Sequence, residues 1–570
     1  MKRTVKFIHP YSLALGVLWV MTLFVILKLT YKPIGDPDLW WHLAHGRYMM
    51  EYDTILKKDV FSHTLLGTPF INYEWLVQIL YYKAVQLFGF KGFFTFVYIL
   101  CLGSLFFLWL SLRVVGARGG SALLLFWVGF KIIYYRFDAR ADLLTLLLLP
   151  LFVWLIFLAR ERPMWAQWKI PLTLFFLMVL WANMHGGFVY GLGFLFLIMI
   201  GARWSRQPAF WVRFLERSSV MALLATLINP FGPKLYQLIL EVIFILKLNK
   251  QYLGEWASPS LDLFPYYWML FFLVGVLLCI SVMRFSQVGK LWGALILAFL
   301  VWSSGSARAT PLLAFTALPF CIAVFKQVFK MNKKVFKEPN KDILKWVLCL
   351  FLFVANGIDL MKPIPSSYVQ WHRLPVGSCE FIKKNNVQGT MFNTLGYGGY
   401  IAWALGPDIK HFMDGRLIFF PLFMEFENLA NKESSTIEGW RSYFQKYRVD
   451  MAITPHGNSV LGLTKEGTFQ YVAITDVMFP REEWALLYWD DASLVHVKRE
   501  EKFKDAIKKY EYKALNPSNL NSMSLWIGSN RVTLSAAQQE IERHEKEVGP
   551  TRRSRQIKDF LTRFKAGNSS

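Results

Sequence analysis

Between residues 11 and 361 the sequence is a succession of apolar runs, many of them long enough to cross a bilayer core of roughly 30 Å. No other feature restricts the fold so strongly. Runs over roughly 11–31, 90–112, 121–137, 142–159, 170–185, 187–202, 218–231, 266–284, 290–305, 308–326 and 343–361 give about eleven candidate transmembrane helices. A hydrophobic content of 55% and a mean hydropathy of +0.33 agree with that reading. The runs stop near Met361, and the remaining residues have the mixed composition and length of a water-soluble domain. The predicted fold class is a polytopic α-helical membrane protein with a C-terminal soluble α/β domain. Its predicted parts are a transmembrane domain over 1–361 with a helical first outer loop at 32–89, a small α/β domain over 362–500, and a charged helical tail over 501–570.

The formal charge of +24 lies largely in short loops between apolar runs and in the C-terminal tail, so it points to a membrane and not to nucleic acid. Four of the five cysteines (101, 279, 321, 349) fall in apolar runs and Cys379 stands alone in the soluble part, which implies no disulfide framework. The apolar stretch Tyr11 to Thr30 follows Lys2, Arg3 and Lys6 but is too long for a signal-peptide core, and it is read as a retained first helix. With a cytoplasmic N-terminus, the inner loops carry Arg113 and Arg118; Arg160, Arg162 and Lys169; Arg203, Arg206, Arg213 and Arg217; Arg284 and Lys290; and the basic run Lys326 to Lys345. That orientation places the C-terminal domain outside. It also gathers on the outer side Asp36, Asp38, His42, Glu74, Arg136, Asp138, Arg140, His185, Asn229, Glu255 and Arg308.

The first outer loop is too long and too patterned for a connector. It predicts a helix over about 38–52 and a second over about 74–88, both interfacial, with Trp40, Trp41 and Trp75 at headgroup level. In the soluble part a helix is predicted around 378–385, and strand character is seen in 449–454, 485–488 and 494–498.

Asp36 and Asp38 flank Pro37 directly after the first span, and carboxylates at such a boundary are costly unless they serve a function. One could take a proton while the other orients it or holds a metal; helix capping is the competing role for Asp38. Glu74 opens the second loop helix, where a plain first-turn carboxylate is equally at home. Asp38, His42 and His45 share a helical face, so a divalent metal held by Asp36, Asp38 and His42 is an open alternative, and no other cofactor is indicated. His185 precedes Gly186 and Gly187, which permit close approach of a substrate or helix. Arg136, Arg140 and Arg308 suit a phosphate, with internal pairing to Asp138 or Asp142 as the alternative for Arg140; Arg308 has no acidic neighbour in sequence.

An acidic pair after the first span, a helical first outer loop with a carboxylate at the start of its last helix, polar outer ends on later spans and an outer C-terminal domain resemble the GT-C superfamily of integral-membrane glycosyltransferases. The chain looks most like bacterial relatives of the aminoarabinose and protein O-mannosyl transferases, although those often have an adjacent acidic pair where this chain has Asp36-Pro37-Asp38. The resemblance implies transfer of a sugar from a polyprenyl-phosphate donor to an acceptor lipid, glycan or protein on the outer face of a bacterial inner membrane, giving a periplasmic C-terminal domain. By position it implies Asp36, Asp38 and Glu74 as catalytic carboxylates and Arg136, Arg140 and Arg308 at the donor phosphate. Trp40, Trp41, His42, His185, Asn229 and Glu255 would line the substrate cavity. The expected reaction is inverting, with Asp38 as base. A lipid-linked saccharide transporter or a non-catalytic scaffold using the same cavity is the alternative, and the absence of a recognisable inverted repeat weighs against transport.

Overall fold

The computed structural model describes residues 10–248, 256–284, 287–331, 338–430, 435–457, 459–463 and 469–567. The chain divides into two compact units, Met1–Ile34 with Tyr73–Tyr368 and Gly35–Asn72 with Val369–Ser570. Residues 35–72 thus belong with the C-terminal residues.

The first unit is helical. Among the described residues six segments are long and apolar enough to cross a membrane: Pro10–Thr30, Trp75–Val114, Leu143–Glu161, Pro265–Met283, Gln287–Ser304 and Ala307–Gln327. The other predicted runs coincide with helices Gly119–Ile133, Lys169–Met184, Phe188–Trp204, Ala209–Ala225 and Glu338–Met361. The run predicted to 231 ends at Ala225. Beyond it Asn229 closes a turn, its amide donating to the Thr226 carbonyl at 2.7 Å and its oxygen accepting the Phe231 N–H at 2.8 Å. The helix predicted over 74–88 and the run from 90 are continuous except at Gly89, where φ of +63° breaks the helical path.

Polar groups join these helices where the sequence breaks its own hydrogen bonding. Pro150 lies inside Leu143–Glu161 and cannot donate to the carbonyl four residues back, that of Leu146. The Ser104 hydroxyl of the neighbouring helix donates to that carbonyl at 2.7 Å, and Ser111 donates to the Pro150 carbonyl at 3.0 Å. Asn356 bridges two helices in the same manner, accepting from the Trp127 indole at 3.1 Å and donating to Thr22 at 2.9 Å.

The second unit contains a four-stranded sheet. Strands β1 (Met391–Asn393), β2 (Met451–Pro455), β5 (Trp484–Trp489) and β6 (Ser493–Lys498) are arranged β1-β2-β6-β5, while β3 (Ser459–Leu463) and β4 (Phe469–Ala473) form a separate hairpin. The β1–β2 pair is parallel and the other pairs are antiparallel. The predicted strand runs coincide with β2, β5 and β6. Helices Leu520–Gly528, Leu534–Glu547 and Arg552–Gly567 of the charged C-terminal region are amphipathic, and their apolar residues Met523, Ile541, Ile557 and Leu561 share a core with Leu486, Trp489 and Leu494 of the sheet.

The helix predicted over 38–52 forms over Asp38–Glu51, but it is not interfacial: Leu39, Trp40, Trp41, His42, Leu43, Ala44 and His45 are all buried. Seven successive buried residues leave no polar face in the first two turns, so the helix becomes core. Trp40 packs edge-on to Tyr400 at 4.9 Å and against Trp371 at 5.5 Å, which removes Trp40 from the predicted headgroup belt. Gly399 on helix Leu395–Ala404 permits this contact, because a Cβ there would lie 2.8 Å from the Pro37 carbonyl oxygen.

Burial keeps several histidines of this unit neutral. It pushes His456 and His544 down to about 4 and His496 to about 3, with Arg553 adding to the effect at His456 and Arg481 at His496. In the unfolded chain each titrates near 6.5, so below that pH the unfolded state binds more protons and gains. The second unit is expected to be most stable above pH 6.5 and to lose stability as pH falls from 6.5 towards 4, with a limiting slope of about 1.4 kcal/mol per pH unit per histidine. Thermal unfolding of the purified chain between pH 8 and pH 5 checks this; an unfolding temperature that does not fall over that range contradicts it.

Candidate functional site

In the first unit the turn before helix Leu143–Glu161 and the turn before helix Thr310–Met331 converge on one carboxylate. Asp142, 7% exposed, is bonded by the Arg136 guanidinium, and Arg308 Nη2 lies 3.3 Å from the same Oδ2. Arg308 has no acidic neighbour in sequence, but the fold supplies one. Its guanidinium also lies over the Trp256 ring at 5.1 Å. The two turns are tied together by Tyr135, whose hydroxyl bonds the Ala307 carbonyl and Thr310 Oγ1. Arg136 is buried on Asp142, whereas the Arg308 side chain is 25% exposed and borders a cavity. Arg140 is half-buried in the same turn, its N–H donating to the Asp138 carbonyl at 2.9 Å.

That cavity, about 130 Å³, is lined by Asp142, Thr145, His185, Trp256, Trp302 and Arg308, with the aliphatic side chains of Leu238, Ile239 and Val242 on one side. His185 is held in one tautomer. The Trp181 indole donates to Thr145 Oγ1 at 3.0 Å, so the Thr145 hydroxyl donates onward to His185 Nδ1 at 2.8 Å, and the Gly187 N–H reaches the same nitrogen at 2.9 Å. Nδ1 is therefore an acceptor and Nε2 carries the proton, facing Glu74 Oε1 at 3.9 Å. Gly187 is required for this arrangement, because a Cβ there would lie 2.1 Å from Thr145 Oγ1. Glu74 itself is buried at the N-terminus of helix Trp75–Val114, and the adjacent Trp75 indole donates to Asn183 Oδ1 at 3.0 Å. Trp75 is thus tied to a neighbouring helix. Asn229 spends its amide on its own turn, and Glu255 lies outside the described residues.

In the second unit Pro37 is the N-cap of the helix, and Asp36, one residue before it, accepts the Asp38 N–H on Oδ1 at 2.8 Å. Asp38 is the first residue of helix Asp38–Glu51, and its Oδ1 accepts the Trp41 indole N–H at 3.3 Å. The Trp41 and His42 rings lie tilted against each other with centres 3.7 Å apart. Among the described residues no three histidine, cysteine or acidic side chains are grouped to hold a metal ion, so Asp36, Asp38 and His42 do not form a metal set.

The sequence reading missed the segment beside Asp38. Gly415 meets the Asp38 carboxylate so closely that a Cβ would lie 2.0 Å from its Oδ1. Its neighbours Asp414 and Arg416 form a buried network: Arg416 Nε donates to both Asp414 oxygens at 2.8 and 2.9 Å, Arg416 Nη2 donates to Asp59 Oδ1 at 2.6 Å, and His411 Nε2 lies 2.9 Å from Asp414 Oδ2. Asp59 in turn accepts the backbone N–H and the hydroxyl of Ser62. The Asp-Gly-Arg order of residues 414–416 is the available signal, a turn-forming glycine between opposite charges.

Compared by sequence, the chain matches no protein-family model and no curated protein. By structure, 95% of it aligns with 87% of the archaeal oligosaccharyltransferase AglB from Archaeoglobus fulgidus, solved with an inhibitory peptide and a dolichol-phosphate, at TM-score 0.50 and 10% identity. A crystal structure of the Archaeoglobus fulgidus oligosaccharyltransferase in the apo form gives the same TM-score and identity over 94% of this chain and 86% of that one. Six membrane-length helices among the described residues and a C-terminal unit built on a small sheet, aligned over nearly the whole chain, give this protein the fold of that oligosaccharyltransferase.

Proposed function

We propose that the chain is an inverting membrane glycosyltransferase that moves a sugar from a polyprenyl-phosphate-linked donor to an acceptor lipid, glycan or protein on the outer face of the membrane. The observation that carries the reading is the Arg308 guanidinium at the cavity, 25% exposed and held 3.3 Å from Asp142. The AglB structure is a complex with an inhibitory peptide and a dolichol-phosphate, and the latter is a lipid-linked phosphate like the donor proposed here. In this reading the acceptor loses its proton to Asp38 and attacks the anomeric carbon. The bond from that carbon to the phosphate oxygen breaks, and Arg308 stabilises the departing lipid phosphate. Arg136 acts through Asp142 by holding the site in place, and the His185 tautomer keeps an N–H directed at Glu74. About eleven spans, a cytoplasmic N-terminus, an outer C-terminal domain and a bacterial inner membrane complete the proposal.

The test is release of polyprenyl phosphate by the lipid-reconstituted protein from a panel of polyprenyl-phosphate sugars, with and without cell-envelope extract. Release that depends on the extract is expected, and Arg308→Met should lower kcat by about 10²–10³, the cost of removing one donor to a developing oxyanion. No release from any donor by folded protein would overturn the transferase in favour of a transporter or scaffold.

A further inference from the structure

The second unit holds a larger cavity, about 470 Å³, that the proposed transfer does not use. It opens between β5 and β6, helix Ile474–Met478 and the segment 511–532, and its volume lies within the range of small-molecule sites. Leu486, Leu494 and Leu515 give it an apolar floor, and Trp484 and Trp526 stand in its wall.

Several of its charged groups are already bonded to protein partners. The Arg481 guanidinium donates to the Lys513 and Leu515 carbonyls and lies over the Trp526 ring at 3.7 Å. Arg499 is paired with Glu511, and the Asp476 carboxylate accepts from Asn516, Asn519 and Ser522 at 2.8 to 3.1 Å. Arg481, Arg499 and Asp476 are thus largely spent on the protein itself, and Arg531 also lines the cavity. It does hold polar atoms with no hydrogen-bond partner: Thr475 Oγ1, His496 Nδ1 and Glu511 Oε2 are buried without one, the last with Lys513 Nζ 3.8 Å away. Such atoms cost free energy unless something bonds them. Thr475 is 5% exposed, and the His496 ring is fixed by stacking on Phe479 at 4.5 Å. A hydroxyl, a neutral imidazole and a carboxylate oxygen offer donors and acceptors together, and beside them lie aromatic and leucine surfaces. That combination complements a ring with hydroxyls on its edges and C–H groups on its faces.

From these observations we infer that the cavity bounded by Thr475, His496, Glu511 and Trp526 is a binding site for a neutral saccharide unit. The inference stands apart from the transferase reading, because its test needs no donor and no turnover. The full chain in nanodiscs is titrated with N-acetylglucosamine oligomers, mannobiose, maltose and galactobiose, followed by tryptophan fluorescence and by saturation-transfer NMR. At least one sugar should bind saturably at one site. Thr475→Val and His496→Phe, which keep shape and stacking, should each weaken it by roughly 3- to 10-fold, the worth of one hydrogen bond. Binding by none of the sugars at millimolar concentration overturns the site, as does binding that both variants leave unchanged. Tighter binding of inorganic phosphate than of any neutral sugar, lost in the same variants, would make it an anion site and also overturn the proposal.

Discussion

Arg416→Met is expected to destabilise the second unit by about 3–5 kcal/mol, the cost of removing one partner from a buried ion pair. Asp59 and Asp414 are 1% and 0% exposed, and the substitution leaves both carboxylates in the interior without the guanidinium that compensates them. Arg416→Lys keeps the charge but not the planar fork that reaches Asp414 through Nε and Asp59 through Nη2, so an intermediate loss is expected. Burial alone would push the Asp414 carboxyl up; Arg416 and the hydrogen bond from His411 outweigh it and hold the carboxyl well below the usual range. The stability this supplies is present above the unfolded value near 3.9 and is lost as pH falls through the lower folded value. Denaturant unfolding of the reconstituted chain measures the loss. In a double-mutant cycle with Asp414→Asn, the combined loss should be smaller than the sum of the single losses. Additive losses would mean that the two residues are not coupled.

The membrane-length helices were legible because apolar length is a one-dimensional property, and Asp38–Glu51 was legible as a helix from the spacing of its apolar residues. Its burial was not. Period and hydrophobicity show that Leu39 and Leu43 face an apolar partner, but the glycines that admit Trp40 and Trp41, Gly399 and Gly415, lie more than 350 positions away. The pairing of Arg308 with Asp142 was hidden by the same separation. Arg308 has no acidic neighbour in sequence, so its charge reads as unpaired until the turns at 136–142 and 307–309 meet. The Asp59–Arg416–Asp414 network was the largest omission, because each member alone is an ordinary loop residue. Strands β2, β5 and β6 were readable from their β-branched and aromatic runs, whereas the hairpin of β3 and β4 follows Pro455 and contains glycine, and its run carries little signal.

Asp38→Asn is expected to lower acceptor-dependent release of polyprenyl phosphate by about 10²–10⁴-fold, the usual contribution of a positioned general base, with the unfolding temperature unchanged. The amide oxygen can still accept the Trp41 indole, so the fold keeps its contact and loses the basic group. Gly415→Ala tests the same carboxylate without changing it. The added methyl would lie 2.0 Å from Asp38 Oδ1, so the carboxylate must move, and displacements of that order cost about 10²-fold when geometry governs the rate. Asp36 separates positioning from proton transfer. Asp36→Asn retains an oxygen for the Asp38 N–H and should keep most of the activity, whereas Asp36→Ala loses that bond and should lower both the rate and, by about 1 kcal/mol, the stability. If Asp36→Asn is as inactive as Asp38→Asn, both carboxylates take part in the chemistry and Asp36 does more than position Asp38. If Asp38→Asn turns over at the wild-type rate, the base lies elsewhere, and Glu74, buried 3.9 Å from His185 Nε2, is the carboxylate to replace next.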